Sequence, residues 1–454
     1  MLPVSQLQVV TRIKRRSIPF VAHWHTRTWT TYTQTTDTLT IHSLNNTSFP
    51  YIWLRDSCLS SKCVHQNSKQ KLHRSSDIPL TIAPVRGGVK VTGNGIDIDW
   101  NDGHKSSFDQ SFLERHASAS KLMEWHLDHH LTKETWTHSS ISSNLSNFFI
   151  PYNNILNTSS GLVQAITQLS KYGLLFISGV PNQETSHEAC ELRTLAERFG
   201  EIRTTFYGPL WDVVNGGNGD SNDGKNIAYT NLELGLHMDL LYISFLLFLF
   251  CLMRCFDFFS IFFRYFQHPP QYQILHCLRN QVIGGTSSFV DALHVARKLR
   301  KSHPADFDIL TKTPVPFHYI VDGHHLHHEH PTIELAPSTT SSSEPHQISH
   351  INYSPPFQAP LFLNTPVEFY SALARFAEML NDPVNIYEYT LREGDAVVFD
   401  NRRVLHARTA FRDKPGVEMK RGEINRWLKG CYLEADALAD RVRVLRAKLE
   451  NDID

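Results

Sequence analysis

Residues 391–413, LREGDAVVFDNRRVLHARTAFRD, decide how this chain is interpreted. A Gly-Asp turn leads into the apolar run 396–399, whose length and composition predict a buried strand. The polar corner 400–403 follows, and His406 comes next with Arg408 beside it. A histidine and an arginine directly after a buried strand and a tight corner indicate a functional site inside a β-rich domain.

A second arginine follows twenty residues after His406. Arg426 lies in the apolar segment INRWLKGCYLEAD. A guanidinium on a buried strand is costly unless it pairs with an anion. Arg426 therefore predicts an anionic ligand such as a dicarboxylate.

The upstream segment LGLHMDLLY supplies further metal-ligand chemistry through His237 and Asp239. Residues two apart on an extended strand project to the same side, so this imidazole and this carboxylate can reach one ion. Alone, the pair also fits a polar strand edge. With His406 it would complete a two-histidine, one-carboxylate triad that leaves coordination positions open for an Fe(II) oxygenase.

In this order, the motifs resemble the 2-oxoglutarate-dependent Fe(II) oxygenases of the taurine dioxygenase type, in the branch of γ-butyrobetaine and trimethyllysine dioxygenases. The resemblance runs from YIWLRDSC, near Tyr51, to the final helix. It implies a mainly β protein with helices, in which a double-stranded β-helix (jelly-roll) catalytic domain follows a small β-rich N-terminal domain.

The resemblance also implies the cofactors and their ligands. Fe(II) would be held by His237, Asp239 and His406. The distal carboxylate of 2-oxoglutarate would be held by Arg426, and a hydroxyl after the Gly-Gly turn of NQVIGGTSSFVDALHVA, Ser287 or else Thr286, would lie near it. Ascorbate is the expected reductant and O2 the expected cosubstrate, and a homodimer is compatible with the family.

The expected substrate is a small trimethylammonium compound. Such a cation cannot donate hydrogen bonds, so proteins hold it with aromatic faces. The resemblance implies an aromatic cage with a nearby amide, formed by Tyr207, Trp211, Tyr229, Tyr432 and Asn226. Any single aromatic residue among them also fits core packing.

Three substrate assignments stay open. Asn226 favours γ-butyrobetaine, which would be hydroxylated to carnitine. Removing residues 243–265 would create the pattern HMDLLYF, which is closer to that of trimethyllysine dioxygenases. Leu240 and Ser354 depart from the butyrobetaine pattern and leave room for another small substrate.

The segments WLRDSCLSSKC and WNDGHKSSF resemble the zinc-binding N-terminal domain of the family. The match gives Cys58, Cys63 and His104 as ligands of a tetrahedral structural zinc. Ser60 stands where the butyrobetaine pattern has a third cysteine. Either His65 or His73 takes its place, or the zinc site is lost.

Residues 243–265, ISFLLFLFCLMRCFDFFSIFFRY, interrupt the family pattern. They are long enough to span a bilayer, but Arg254 and Asp257 at the centre disfavour a membrane span. Removing them joins HMDLLY to FQHPPQYQILHC and restores the pattern. We interpret the segment as translated noncoding sequence, with a natural hydrophobic insertion or a membrane span as alternatives. A protein inactivated by this insertion is the functional alternative.

Composition and patterning bound the remaining possibilities. The 454 residues are 41% hydrophobic and 20% charged, as in ordinary globular proteins, and the net charge of −1 argues against a nucleic-acid partner. Seven scattered cysteines do not form a disulfide framework and indicate a reducing compartment. The first 36 residues are basic, with no acidic residue, and predict either a mitochondrial transit peptide or a basic terminus of a cytoplasmic protein.

These patterns predict four parts of the chain. They are a basic leader at 1–45, the small β-rich domain at 46–130, a Ser/Asn-rich linker at 131–153, and the dioxygenase domain at 154–454 with its insertion at 243–265.

Overall fold

A computed structural model describes residues 31–126, 132–214, 227–242, 268–321, 323–336, 346–414 and 424–451. The chain forms two compact units, Met1–Trp125 and His126–Asp454. The hydrophobic insertion 243–265, most of the basic leader and Asn226 lie outside the described residues. No helix in the described ranges is long and apolar enough to cross a membrane.

The first unit contains two antiparallel three-stranded sheets, β1-β2-β3 and β4-β5-β6. The elements are β1 Tyr32–Gln34, β2 Thr38–Ile41, β3 Thr47–Pro50, α1 Tyr51–Asp56, β4 Pro84–Thr92, β5 Gly95–Trp100, β6 Lys105–Asp109, α2 Gln110–His116 and α3 Ala119–Trp125.

Alternating apolar residues build the core of this unit. Ile96, Ile98 and Trp100 point inward from β5, as the period of two predicts. Leu39 and Ile41 are buried in the same core. Residues 32–44, which the sequence analysis placed in the leader, therefore belong to this unit because their apolar side chains complete its core.

The helices of the second unit lie between groups of its strands in the chain. They are α4 His138–Ser143, α5 Tyr152–Asn157, α6 Ser159–Tyr172, α7 Glu191–Phe199, α8 Ala292–Ser302, α9 Pro304–Lys312, α10 Val367–Leu380 and α11 Ala435–Asn451.

The strands of the second unit start with β7 Phe149–Pro151, β8 Leu174–Ser178, β9 Ile202–Arg203, β10 Trp211–Val214, β11 Leu234–His237, β12 Tyr272–Asn280, β13 Val282–Gly284, β14 Ser287–Asp291 and β15 Pro314–Val321. They continue with β16 His324–Pro331, β17 Ile333–Leu335, β18 Ile348–Ile351, β19 Ile386–Tyr389, β20 Ala396–Asp400, β21 Val404–Arg408, β22 Phe411–Asp413 and β23 Arg426–Leu433.

Two sheets of this unit form the double-stranded β-helix that the sequence predicts. The larger sheet runs β10-β23-β12-β20-β8-β7, with β9 paired to β23, and the smaller runs β11-β21-β14-β19. Aromatic side chains join the two sheets: Phe289 on β14 contacts Phe176 on β8 and Phe399 on β20, with ring centroids 5.6 and 5.9 Å apart. The residues of the quoted stretch form β20, the corner and β21, which cross from one sheet to the other.

Helices cover the larger sheet. The face of α6 that carries Leu162, Ile166 and Leu169 is buried, and α11 packs against this helix. Gly173 ends α6 in the left-handed region, with a φ of 72°, as glycine readily does. Strand β8 follows directly after this glycine.

The polar corner between β20 and β21 is anchored by buried ion pairs. Arg403 Nη2 and Asp291 Oδ2 lie 2.8 Å apart, and both side chains are almost fully buried. Arg402 donates to Glu334 at 3.1 Å and to Asn352 at 2.9 Å. Buried charges are tolerated when they are paired in this way. The corner thereby fixes the direction in which β21 enters the smaller sheet.

Strands β15 and β16 pair as an antiparallel hairpin that carries several histidines. His325 and His327 are exposed, whereas His330 is buried and its Nε2 lies 3.2 Å from the carbonyl oxygen of Leu241. The strand period therefore divides the histidines between a solvent face and an inner face.

Candidate active site

Three side chains with metal-ligand chemistry meet where β11 lies beside β21. His237 ends β11 and pairs with His406 in the strand register. One ligand atom each from His237, Asp239 and His406 lies within 4.8 Å of the others. The structure thus brings together the three residues that the sequence predicted as iron ligands.

Hydrogen bonding and burial prepare these groups to accept a cation. The Nδ1–H of His237 donates to the carbonyl of Gly235 at 2.9 Å, so Nε2 keeps its lone pair and lies 3.5 Å from Asp239 Oδ1. Burial lowers the pKa of His406 to about 3, so this ring is neutral at physiological pH. Its Nδ1 is buried and has no hydrogen-bond partner among the described residues. The donor set fits a divalent transition metal such as Fe(II).

Asp239 is a carboxylate in this setting. Burial raises its pKa, but its interactions with His237 and His406 and the hydrogen bond from Tyr432 outweigh burial, and its pKa lies below the ordinary value. The Tyr432 hydroxyl donates to Asp239 Oδ2 at 2.9 Å.

Asn401 holds the backbone of Asp239. Its side-chain oxygen accepts the Asp239 N–H at 2.9 Å, and its Nδ2 donates to the Asp239 carbonyl at 3.0 Å and to the Pro270 carbonyl at 3.2 Å. The next residue, Leu240, has a φ of 61°, a left-handed conformation that costs roughly 1–2 kcal/mol for a residue other than glycine. The fully buried Asn401 stabilises this turn and holds together the chain segments before and after the insertion.

The two arginines of the site differ in how well they are paired. Arg408 donates to three main-chain carbonyls, those of Ala228, Thr230 and Leu232, at 2.6 to 2.9 Å. Arg426 is 4% exposed, and the Nε atoms of both arginines have no hydrogen-bond partner among the described residues. Burial lowers the pKa of Arg426 to about 10, and burial together with Arg426 does the same for Arg408. Arg426 is the guanidinium with capacity for an added carboxylate.

The glycine turn before β14 passes close to Arg426. Gly284 and Gly285 have φ values of 87° and 70°, and a Cβ at Gly285 would lie 3.1 Å from Arg426 Nε. Side chains here would strain the turn and crowd the guanidinium. After the turn, Ser287 lines the same cavity, whereas the Thr286 hydroxyl pairs with Thr390 at 2.8 Å. Of the two hydroxyl residues, Ser287 faces the site.

These groups share one cavity. Besides the metal-ligand triad, Arg408, Arg426 and Ser287, its walls are mainly aromatic and aliphatic and include Tyr207, Trp211, Tyr229, Leu240, Tyr242, Leu275, Phe357, Leu428 and Tyr432.

Four of the predicted cage aromatics lie in this cavity. Trp211 stacks on Tyr432 with ring centroids 4.3 Å apart, and the Tyr207 ring lies 6.4 Å from that of Trp211. Tyr229 lies in the segment whose flanking carbonyls Arg408 binds. The fifth predicted substrate residue, Asn226, is outside the described residues.

Some cavity residues were missed by the sequence reasoning. Tyr242 stacks on Tyr319 at 5.2 Å, and Phe357 contacts Tyr242 at 5.1 Å. The sequence could have indicated Tyr242, because it lies three residues after Asp239. It gave no indication of Phe357, since this residue reaches the cavity from a short helical turn more than a hundred residues away in the chain.

In the first unit, Cys58, Cys63 and His104 form a second cluster. The two sulfur atoms lie 3.3 and 3.4 Å from His104 Nε2. Burial raises the pKa of Cys58, but hydrogen bonds from Ser106 and Ser60 outweigh it and leave the pKa below its usual value. The alternative histidines are engaged elsewhere, His65 with Ser68 and His73 with Asp56. The cluster supplies three donor atoms, two cysteine sulfurs and one imidazole nitrogen. Ser60 lies beside Cys58.

Comparison with protein families gives two matches. Residues 263–432 match the family described as "Taurine catabolism dioxygenase TauD, TfdA family". Residues 30–114 match "Gamma-butyrobetaine hydroxylase-like, N-terminal". The two matches fall in the second and first units, respectively.

Curated relatives extend over most of the chain. A protein of Strobilurus tenacellus named "Dioxygenase str8" is 49% identical over 92% of this chain and 89% of its own length. Human gamma-butyrobetaine dioxygenase is 29% identical over 89% of this chain and 92% of its own length. Human mitochondrial trimethyllysine dioxygenase is 25% identical over 94% of this chain and 91% of its own length.

Proposed function

Because this chain belongs to the TauD/TfdA dioxygenase family and carries a gamma-butyrobetaine hydroxylase-like N-terminal domain, we propose that it hydroxylates γ-butyrobetaine to carnitine with Fe(II) and 2-oxoglutarate. The observation that carries the proposal is that the metal-ligand triad, a buried arginine whose Nε has no hydrogen-bond partner among the described residues, and an aromatic wall share one cavity.

Each group would have a separate role. His237, Asp239 and His406 would hold Fe(II), which with 2-oxoglutarate and O2 supplies the oxidising chemistry and releases succinate and CO2. Arg426 would bind the distal carboxylate of 2-oxoglutarate, and Ser287 would donate a hydrogen bond beside it. With ascorbate as reductant, the iron would be kept in its ferrous state between turnovers.

The aromatic wall would orient the substrate. A trimethylammonium group gains roughly 0.5–2 kcal/mol from each good aromatic contact. Trp211, Tyr207 and Tyr229 would surround the cation. Holding the cation there would place a neighbouring C–H bond toward the triad, because both lie in the same cavity.

A second candidate is a related dioxygenase reaction on trimethyllysine or another small substrate. Leu240 supports it, because an aliphatic side chain is buried in the cavity wall immediately after Asp239. An aliphatic wall there favours a substrate that has an apolar group at this point.

A substrate panel tests the proposal. Purified protein with Fe(II), ascorbate and 2-oxoglutarate is given γ-butyrobetaine, trimethyllysine, or 5,5-dimethylhexanoate, the isostere of γ-butyrobetaine in which carbon replaces the cationic nitrogen. We expect γ-butyrobetaine to gain one oxygen atom, and the isostere to bind roughly tenfold more weakly because it lacks the cation. Oxygen gain on trimethyllysine alone would favour the second candidate. Oxygen gain on neither amine would contradict the carnitine-branch assignment.

We propose that the first unit holds a structural zinc at Cys58, Cys63 and His104. Serine is a poor zinc ligand, so Ser60 would leave the site with three strong ligands. We expect Ser60→Cys to raise zinc affinity by about tenfold, since it adds a thiolate. Zinc retained against a graded chelator series measures this change, and Ser68→Cys, outside the cluster, is the control. Equal zinc retention in the wild type and both variants would contradict the proposal that Cys58, Cys63 and His104 bind zinc.

We also propose that residues 243–265 are dispensable for catalysis. Asn401 binds carbonyls on both sides of the segment, those of Asp239 and Pro270. These bonds hold the two flanking parts of the chain together at the site, and they do not involve residues 243–265. We expect a variant lacking 243–265 to be more soluble, because a large apolar segment is removed, and to keep the metal affinity of the full chain. Soluble yield and Co(II) titration of both proteins check this. Loss of Co(II) binding on deletion would contradict it.

A mitochondrial location is the remaining proposal. It is supported by the basic, acid-free composition of the first 36 residues. Import of a fusion of residues 1–45 to a fluorescent protein tests it, and a cytoplasmic signal would contradict it.

A further inference from the structure

Tyr432 contacts a metal-ligand candidate as well as the aromatic wall. Its hydroxyl donates to Asp239 Oδ2 at 2.9 Å, while Asp239 Oδ1 lies 3.5 Å from His237 Nε2. The two oxygens of this carboxylate therefore have different neighbours. One oxygen is bound by the phenol, and the other faces a histidine of the triad.

The ring of Tyr432 is held firmly enough to fix that hydroxyl. Tyr432 lies in β23, between Gln273 of β12 and Arg203 of β9 in the strand registers, and its side chain is 2% exposed. One face of the ring stacks on Trp211 at an interplanar angle of 22°. A central strand and a stacked partner leave the ring little room to turn.

The backbone of Asp239 is fixed independently by Asn401, which binds both its N–H and its carbonyl. The remaining freedom of Asp239 is rotation of its side chain, and the bond from Tyr432 restricts that rotation. Hydrogen bonds of this kind orient metal ligands, and their removal typically lowers metal affinity or activity 10–100-fold.

We propose that Tyr432 is a positioning residue whose hydroxyl orients the Asp239 carboxylate within the metal-ligand triad, in addition to any role of its ring in the substrate cage. The inference rests on the proposed function, because it assumes that the triad binds a metal. It assigns the ring and the hydroxyl of Tyr432 to different tasks, and the two can be separated by Tyr432→Phe.

The test is a Co(II) titration of the full chain without 2-oxoglutarate, O2 or substrate. The matched control is Tyr152→Phe, which removes an equally buried tyrosine–carboxylate bond, from Tyr152 to Glu191 at 2.6 Å, outside the cavity. We expect the Kd for Co(II) to rise 10–100-fold in Y432F and to stay unchanged in Y152F. Because Y432F keeps the ring, we expect kcat to fall while the KM for the substrate changes less than threefold.

A Y432F variant that binds Co(II) within twofold of the wild type would overturn the inference and leave the proposed function intact. So would a Y432F variant that fails to fold while Y152F folds, as judged by thermal unfolding of the metal-free proteins, because the hydroxyl would then serve the fold. A wild-type protein that binds Co(II) no better than His237→Ala would contradict the proposed function itself, and this inference with it.

Discussion

His237→Ala is expected to lower 2-oxoglutarate turnover by on the order of a thousandfold or more, which corresponds to about 4 kcal/mol. The imidazole Nε2 that faces Asp239 is lost, and a triad with two ligands binds the metal weakly. The loss should be visible before any chemistry, as a large rise in the Kd for Co(II). Succinate formation under saturating Fe(II) and 2-oxoglutarate measures the activity.

His276→Ala is the matched control for this variant. His276 is a fully buried histidine on β12, and burial lowers its pKa to about 4, but it does not line the cavity. Its removal is expected to reduce thermal stability and leave Co(II) affinity unchanged. If H237A kept more than a tenth of the wild-type succinate rate, or if both variants lost metal binding equally, the assignment of the triad would be contradicted.

Arg426→Ala is expected to raise the KM for 2-oxoglutarate by about two to three orders of magnitude. Truncating one partner of a buried charge pair costs roughly 2–5 kcal/mol. In R426A the distal carboxylate of 2-oxoglutarate would lose the guanidinium that binds it. The KM of Arg426→Lys should lie between those of the wild type and R426A. Lysine keeps the positive charge, but an ammonium lacks the planar fork of a guanidinium. Initial succinate rates across a 2-oxoglutarate series give the KM.

The ligand-free protein provides an independent readout for Arg426. Since its Nε has no partner among the described residues and the guanidinium is buried, R426A should unfold at the same temperature as the wild type or higher. The control is Arg279→Ala, an arginine of neighbouring β12 that donates to the Ile424 carbonyl at 3.0 Å and does not line the cavity. A change in KM of less than threefold in R426A, or an equal change in R279A, would contradict the proposal that Arg426 binds the distal carboxylate of 2-oxoglutarate.

The chemistry of the site could be predicted where local spacing determines geometry. His237 and Asp239 are two residues apart at the end of a strand, so their convergence follows from the strand period. The apolar run before Asp400 predicted the strand that carries the chain to His406. Arg426 was predicted from the cost of a buried guanidinium, and in the structure it is 4% exposed.

Interactions between distant parts of the chain could not be predicted in this way. The bond from Tyr432 to Asp239 joins residues that are 193 positions apart, and the bonds of Asn401 to Asp239 span 162. Each of these contacts is determined by sheet register, which a periodic pattern does not specify.

The central claim is that this cavity couples 2-oxoglutarate oxidation to a bound divalent iron. The most direct measurement is succinate formation from 2-oxoglutarate by the purified protein, with and without Fe(II), in parallel with H237A. We predict succinate that requires Fe(II), rises with γ-butyrobetaine and is absent in H237A. Succinate formation that is independent of Fe(II) or unchanged in H237A, or no succinate from a folded, Co(II)-binding wild type, would contradict the account.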